Sequence, residues 1–460
     1  MESTGDRAGV TSPVNAGARL DRLPASGFHR RLATLIGAGM FFDGFDLFLA
    51  ANVLGALAQS GFSNLQMNGR FASATFIGMT IGALCSGWIG DRLGRRVTYQ
   101  VNLLIFGGAS VAAALAPDME FLIAARFVMG IGLGAEIVVG YASFTEFLPP
   151  AVRGKWLGIL GMPMQIALFV GALVGLLIIP SFGWRPMFWI AAVGAGVVWY
   201  MRKNIPESPR WLEHKGRFDE AEAVLRRIEA QCPQPLPPPA AASAARAPTS
   251  FYSRQFLQRL FVGSVTVIVL NVVVFGFLTF VPTFFVKAGF SVQKSLGFST
   301  IMTLGGPVGG FIALYLSDRI GRKKLLVGSA LLTALVGCFY PYAGNGLLIT
   351  LVGFILVTVL YVNSTTAYSM FVPELFPTDV RLRGVGTCHT IGRIAGASAP
   401  LMVVPLYSAY GVAGVIALMV GFLLAQALVV WTLGIEPRFQ SLEALDVTQA
   451  DGEAVEAVAR

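Results

Sequence analysis

The stretch Gly87-Trp88-Ile89-Gly90-Asp91-Arg92-Leu93-Gly94-Arg95-Arg96 is a knot of charge set between two apolar runs, each long enough to cross a bilayer. A second copy, Ser317-Asp318-Arg319-Ile320-Gly321-Arg322-Lys323-Lys324, lies between two further apolar runs. Asp91 and Asp318 are 227 residues apart, about half of the 460-residue chain, and the pairs Glu146/Glu374 and Arg153/Arg381 repeat at 228. Such a chain is two similar halves in tandem. Both charged loops belong on the same side of a membrane, so each half holds an even number of spans and the repeat is parallel.

Only 13% of the residues are charged, about half the roughly 25% of a soluble domain, and 55% are hydrophobic. The net charge of +9 sits in short loops between apolar runs, which fits membrane topology better than a nucleic-acid partner. Segments of about 20 residues are expected near 32–58, 71–90, 97–116, 121–145, 156–180 and 184–201, then near 257–286, 297–316, 324–343, 347–372, 384–409 and 411–434. The fold class is therefore an all-α membrane protein with twelve transmembrane helices in two six-helix bundles. One set of loops carries Arg92, Arg95, Arg96, Arg153, Lys155, Arg319, Arg322, Lys323, Lys324, Arg381 and Arg383; the other carries only Arg70, Arg185, Lys287 and Lys294. The basic side is expected to be cytoplasmic, with both termini.

Residues 1–31 read as a disordered cytoplasmic N-terminus without a signal peptide, 32–203 as the first bundle, and 257–434 as the second. The stretch 204–256 joins them, and 435–460 forms a cytoplasmic tail. Within the connection, Pro206-Glu207-Ser208-Pro209-Arg210-Trp211-Leu212 opens an amphipathic helix reaching about Ala230, expected on the cytoplasmic face. Cys232 to Ser250 is a Pro/Ala-rich linker. The four cysteines Cys85, Cys232, Cys338 and Cys388 have no metal spacing and read as free thiols.

From about Arg31 to Leu445 the chain resembles the major facilitator superfamily. The two charged loops are similar to that superfamily's signature between spans two and three and its second copy, although Leu314 replaces the leading glycine there. Arg126…Gly130…Gly132…Gly134, Pro206-Glu207-Ser208-Pro209-Arg210, Pro373-Glu374-Leu375-Phe376-Pro377-Thr378 and Glu436…Leu442-Glu443 resemble the sugar-porter-like branch. Sugar porters would be expected to place paired glutamines on span seven. Here that stretch reads Val267-Ile268-Val269-Leu270-Asn271-Val272, which argues against a hexose. Asp43-Gly44-Phe45-Asp46 is similar to the aromatic acid and nicotinate proton symporters, and Ile391 to Pro400, with Arg393, resembles the organic ion transporters. The resemblance implies a proton as coupling ion, no cofactor, and a small organic acid as substrate.

Ionisable groups inside spans cost roughly 2.5–3.5 kcal/mol even on insertion scales, so each needs a partner or a task. Asp43 and Asp46, at i,i+3 on span one, with Glu136 and Arg126 on span four, form the proton-coupling candidates; a permanent structural ion pair is the plainer reading. Arg393 on span eleven is the candidate for a substrate carboxylate, or else the partner of an internal acid, with His389 one turn before it as a proton carrier or a vestibule residue. Tyr361, Ser364, Thr365 and Tyr368 form a polar-aromatic stripe on span ten, with Asn363 off it. Gln165 and Asn271 are lone polar residues that either bind substrate or bridge helices. The pairs Gly78-Gly82, Gly130-Gly134, Gly171-Gly175 and Gly306-Gly310 read as close-packing surfaces. Gly87, Asp91, Arg92, Gly94, Arg95 and Arg96, with Asp318, Arg319, Gly321 and Arg322, are the gating-loop candidates, expected to hold the bundles together on the cytoplasmic side.

No nucleophile-base pair, phosphate loop or metal cluster appears, which argues against an enzyme. The expected function is proton-coupled import of a small aromatic or heterocyclic monocarboxylate by a monomer in a bacterial inner membrane. A sugar or other neutral metabolite transporter, a proton-independent facilitator, a drug-efflux antiporter and a non-transporting sensor on the same fold remain as alternatives.

Overall fold

The computed structural model describes residues 14–24, 26–203, 205–232, 236, 238, 253–343, 346–376 and 381–435. Some side chains near the basic loops also lie outside this description, those of Asp91, Arg153, Lys155, Asp318 and Arg381 among them, as do the surroundings of Gly87. The linker proper and the tail from residue 436 likewise lie outside the described residues.

Every described regular element is helical. Span one is Gly27–Gln59, two Leu65–Leu93, three Arg95–Ala114, four Met119–Phe147, five Pro150–Phe182 and six Arg185–Arg202. Span seven runs Arg254–Lys287 through a π-turn at Asn271–Phe275. Span eight is Val292–Thr303 followed by Gly305–Ile320, nine is Arg322–Phe339, and ten is Gly346–Glu374 with a π-turn at Thr366–Phe371. Arg381–Leu433 holds spans eleven and twelve, which meet at Gly411 (φ 63°, ψ −153°). Nine described helices pass as spans on length and composition alone. Dividing the last of them at Gly411, and adding span two, part of which lies outside the described residues, and the short span six, gives twelve in two sets of six.

The boundaries follow local chemistry. Asn64, Asp118, Ser253 and Ser291 each accept a backbone N–H in the first turn of spans two, four, seven and eight. Gly94 (φ 93°) and Gly321 (φ 98°) reverse the chain between spans two and three and between eight and nine within one residue, a conformation other residues resist.

Glycine also sets how closely the first half packs. A Cβ on Gly78 or Gly82 would fall on backbone oxygens of Phe127 and Ile131, and one on Gly130 or Gly134 on those of Thr75 and Met79. Spans two and four thus meet backbone to backbone. Gly171 and Gly175 bring span five against Phe45 and Asn52 of span one. Gly306 and Gly310 differ from the close-packing expectation: they make room for side chains, Leu168 and Tyr361 at the first and Gln165 at the second.

The halves meet along span two against eleven, five against eight, and one against the end of seven. On the side away from the linker, Gly55 faces Pro282 and Gly69 faces Val404 across this seam.

Two expectations are corrected on the linker face. Residues 16–21 form a helix, α1 (Ala16–Asp21), so the described part of the N-terminus is ordered, and span one begins at Gly27 rather than residue 32. Long-range partners that composition does not reveal hold it: Glu213 accepts the N–H groups of Asn15 (2.7 Å) and Ala16 (2.9 Å), and Arg19 and Arg22 reach Glu222 and Glu229. The single amphipathic helix is two, α2 (Pro209–His214) and α3 (Phe218–Glu229), broken at Gly216 (φ 72°). Its apolar residues Leu225 and Ile228 pack on Leu20, Phe147, Leu148 and Ile205, so protein covers that face.

Candidate functional site

Among the described residues, five Asp, Glu and Arg side chains are buried in the membrane portion of the first half, and they divide into two groups. In the first, Arg126 donates to the Asp46 carboxylate (2.5 Å), to the Asp46 backbone oxygen (2.8 Å) and to Thr75 Oγ1 (2.9 Å), with both charged side chains fully enclosed. The Phe71 ring covers the guanidinium at 5.2 Å. Here one cation meets one anion.

The second group does not include Arg126. Glu136 instead pairs with Arg202, the last residue of span six. Arg202 also donates to the backbone oxygens of Leu35 (3.0 Å) and Ile36 (2.9 Å), and its guanidinium lies 4.7 Å from the Tyr99 ring. A Cβ on Gly39 would strike both Arg202 and Glu136, so that glycine makes the chamber. Asp43, one turn further along span one, interacts electrostatically with Glu136 and Arg202. Its Oδ2 and Glu136 Oε2 are buried without a hydrogen-bond partner. The i,i+3 spacing therefore places Asp43 and Asp46 near one another but assigns them to different arginines.

Arg202 went unrecognised because hydropathy ends span six at residue 201 and makes it a boundary cation. One signal was available: three buried carboxylates against the single intramembrane arginine of that half leave charge uncompensated.

In the second half the site residues converge on the seam. Arg393 is 5% exposed and makes a long 3.5 Å contact with the Met79 backbone oxygen across the halves. Tyr368 lies close enough to interact electrostatically with it, and the Tyr368 ring packs on His389 at 4.2 Å. Among the described residues, Arg393 has no acidic partner. His389 Nδ1 and the Tyr361 hydroxyl are buried without partners. Gln165 on span five donates to Thr365 Oγ1 on span ten (2.9 Å), bridging the halves, and Ser364 is half-buried beside them. Asn271 donates to Val267 O on its own helix (2.9 Å) and borders Gly392 and Gly396, which flank Arg393. Phe275 stacks on Phe48 and meets Phe76 edge-on, giving the seam an aromatic wall. Asn363 points elsewhere, to Leu326 O, Ser329 and Gln426, tying spans nine, ten and twelve.

At the loops, Arg95 reaches Glu146 (2.9 Å), while Glu207 accepts the N–H groups of Arg95 and Arg96 at the start of span three. A Cβ on Gly94 would meet that carboxylate. Arg96 donates to Lys203 O. The second copy repeats the main element: Arg322 meets Glu374 at 3.1 Å, and Lys323 donates to Gly434 O (2.7 Å). Arg319 lies over Tyr315. Arg92 is exposed. Apart from those to Glu207 of the connecting stretch, each of these described contacts stays within its own half. Gly87 and the side chains of Asp91 and Asp318 lie outside this description.

The family described as sugar (and other) transporter matches residues 33–448. The inner membrane metabolite transport protein YdjE of Escherichia coli is 37% identical over 93% of this chain and 97% of its own length. The niacin transporter NiaP of Acinetobacter baylyi is 31% identical over 93% of this chain and 99% of its own. Among solved structures, the proton:xylose symporter XylE bound to 6-bromo-6-deoxy-D-glucose superposes with a TM-score of 0.71 at 18% identity, over 92% of this chain and 99% of the other, a likeness of fold. Twelve spans in two parallel halves, buried ion pairs and a polar seam thus coincide with a family match across nearly the whole chain, and the protein belongs to the sugar (and other) transporter family as an integral-membrane metabolite transporter of the major facilitator superfamily.

Proposed function

We propose that the protein imports a small aromatic or heterocyclic monocarboxylate together with protons, by exposing a site between its halves to each side of the membrane in turn. The observation that carries this reading is Arg393, a buried cation at the seam with no acidic partner among the described residues. A carboxylate supplies the missing anion and accepts paired hydrogen bonds from the planar guanidinium. Tyr361, Tyr368, Phe76 and Phe275 offer flat faces to the body of such an acid, and Gln165, Ser364, Thr365, Asn271 and His389 supply polar contacts around it. The relative named a niacin transporter makes nicotinate the first trial substrate, and hydroxybenzoates follow from the resemblance of Asp43-Gly44-Phe45-Asp46.

The coupling carboxylates are Asp46, held by Arg126, and Asp43 with Glu136. The two loops, Asp91 and Asp318 included, gate the linker face. The surplus of Arg and Lys on that face supports a cytoplasmic placement of both termini in a bacterial inner membrane. The protein acts as a monomer.

The test is binding and uptake with the purified protein. Ligand at about 100 times its Kd should stabilise the fold by about 2.7 kcal/mol, so nicotinate should raise the unfolding temperature and nicotinamide should not. In vesicles, an inward proton gradient should drive accumulation of the acid. Equal stabilisation by acid and amide sinks the anion assignment; accumulation indifferent to the gradient sinks the coupling.

A further inference from the structure

The two buried groups of the first half differ in charge balance. Asp46 and Arg126 match one to one. In the other chamber, two carboxylates, Asp43 and Glu136, each 2% exposed, face one guanidinium, that of Arg202. Arg202 is already committed, to Glu136 Oε1 and to the oxygens of Leu35 and Ile36. Tyr99 cannot help, because its hydroxyl donates to Val139 O (3.1 Å) and it offers Arg202 only its ring. Span five presents Met164 to this stretch of span one, which is not titratable. The remaining charges nearby, Asp46 and Arg126, neutralise each other. One negative charge is therefore uncompensated in a buried space, where an unpaired ion costs several kcal/mol. Two carboxyl oxygens, Asp43 Oδ2 and Glu136 Oε2, also lack any donor. A single proton answers both: it neutralises the excess charge and turns one orphan acceptor into a donor.

We infer that Asp43 and Glu136 share one proton, with Arg202 fixing the number at one, and that this chamber, rather than the Asp46–Arg126 pair, holds the transported proton when the seam is closed. The inference rests on the proton-coupled reading above and deepens it. On release, the carboxyl O–H bond breaks with its electron pair staying on the carboxylate, and the proton passes to water on the linker side, where Arg202 and the carbonyls of Leu35 and Ile36 form the near wall. Arg202 keeps its own proton throughout and acts as a positioning residue. Reloading reverses the step. Two neighbouring acids that hold one proton titrate as a pair, so the proton belongs to both.

Infrared spectroscopy of the purified full-length protein tests this directly, through the carbonyl band of a protonated carboxylic acid in a dry site. The parent should show one such band at neutral pH that disappears on alkalinisation. Asp43→Asn and Glu136→Gln should each abolish it, because the remaining carboxylate then meets Arg202 alone and ionises. Asp46→Asn should leave it, Arg202→Lys should keep it, and Arg202→Gln should double it. Absence of the band in the parent overturns the inference, as does its survival in both single-carboxyl variants or its loss in Asp46→Asn. The parent titration needs no substitution, so a variant that fails to fold does not decide the matter. Gradient-driven uptake is read separately: a band that behaves as expected in a protein whose uptake ignores the proton gradient would sink the symport reading and leave the shared proton standing, whereas proton-driven uptake without the band would do the reverse.

Discussion

The two halves share one scaffold and fill it with opposite chemistry. At the repeat spacing of 227 residues, Asp46, Thr75 and Arg126 of the first half correspond to Val273, Met302 and Gly353 of the second. Where the first half builds an ion pair, the second lays the Met302 side chain over Gly353 in an apolar contact. Glu136 corresponds to Asn363, Tyr99 to Leu326 and Asn102 to Ser329. The carboxylate held by Arg202 thus becomes an amide held by Leu326 O, Ser329 and Gln426. Beyond span ten's midpoint the spacing grows to 228, and the π-turn Thr366–Phe371 accommodates the additional residue. The stripe residue Tyr368 falls within that turn, beside Arg393, consistent with the frequency of π-bulges at functional sites. Duplication therefore preserves the loops, while buried charge is gathered with its own arginines in one half, one carboxylate in excess, and left as an open cation at the seam in the other.

The largest effect should come from the first half. Arg202→Ala leaves Asp43 and Glu136 without their cation, and breaking a buried pair from one side costs about 3–5 kcal/mol. The corresponding neutral site should respond less, with Asn363→Ala costing about 1–3 kcal/mol through unsatisfied partners. Thermal unfolding of both variants measures the difference; equal losses would mean that the charged chamber is no more demanding than its neutral counterpart.

Next comes the open charge. Arg393→Ala should weaken binding of nicotinate or a hydroxybenzoate by about 2–5 kcal/mol, the usual cost of truncating one partner of a buried charge pair. It should leave the empty protein at least as stable as the parent, since no internal acid depends on it. Titration calorimetry with unfolding curves separates the two, and a variant that loses stability in parallel with affinity would make Arg393 a structural cation like Arg126.

The scaffold itself should show a smaller asymmetry. Gly82→Ala places a methyl on a backbone oxygen of span four and should cost about 1–3 kcal/mol by overpacking. Gly353→Ala meets only the movable end of Met302 and should cost less. Comparable losses would show that the second half is packed as rigidly as the first.

The smallest effect should lie on the linker face. Hydrogen bonds from Arg19 hold the Glu222 and Glu229 carboxyls below their ordinary range. Because their folded values lie below the unfolded ones, this stabilisation is present above the unfolded carboxylate range and is lost as pH falls through the folded values. Arg19→Ala should therefore loosen α1 by about 1 kcal/mol near neutral pH, and the gap to the parent should close on acidification. Hydrogen exchange in residues 16–21 at two pH values reads this; a gap that widens in acid would exclude the ion pairs as its origin.

Hydropathy, charge asymmetry and an internal repeat were enough, in the sequence alone, to establish twelve spans, two parallel halves, the charged loops and the buried ionisable residues, because a bilayer admits few ways to satisfy a backbone. The partners were another matter. Which of Asp43 and Asp46 meets Arg126 depends on how spans one, two and four are rotated and how closely their glycines let them approach. Hydropathy reports that a helix is buried but not which neighbour each face meets. Arg202 shows this most clearly: in sequence it ends a span, and only the packing of span six against spans one and three places it beside two carboxylates that are 159 and 66 residues away.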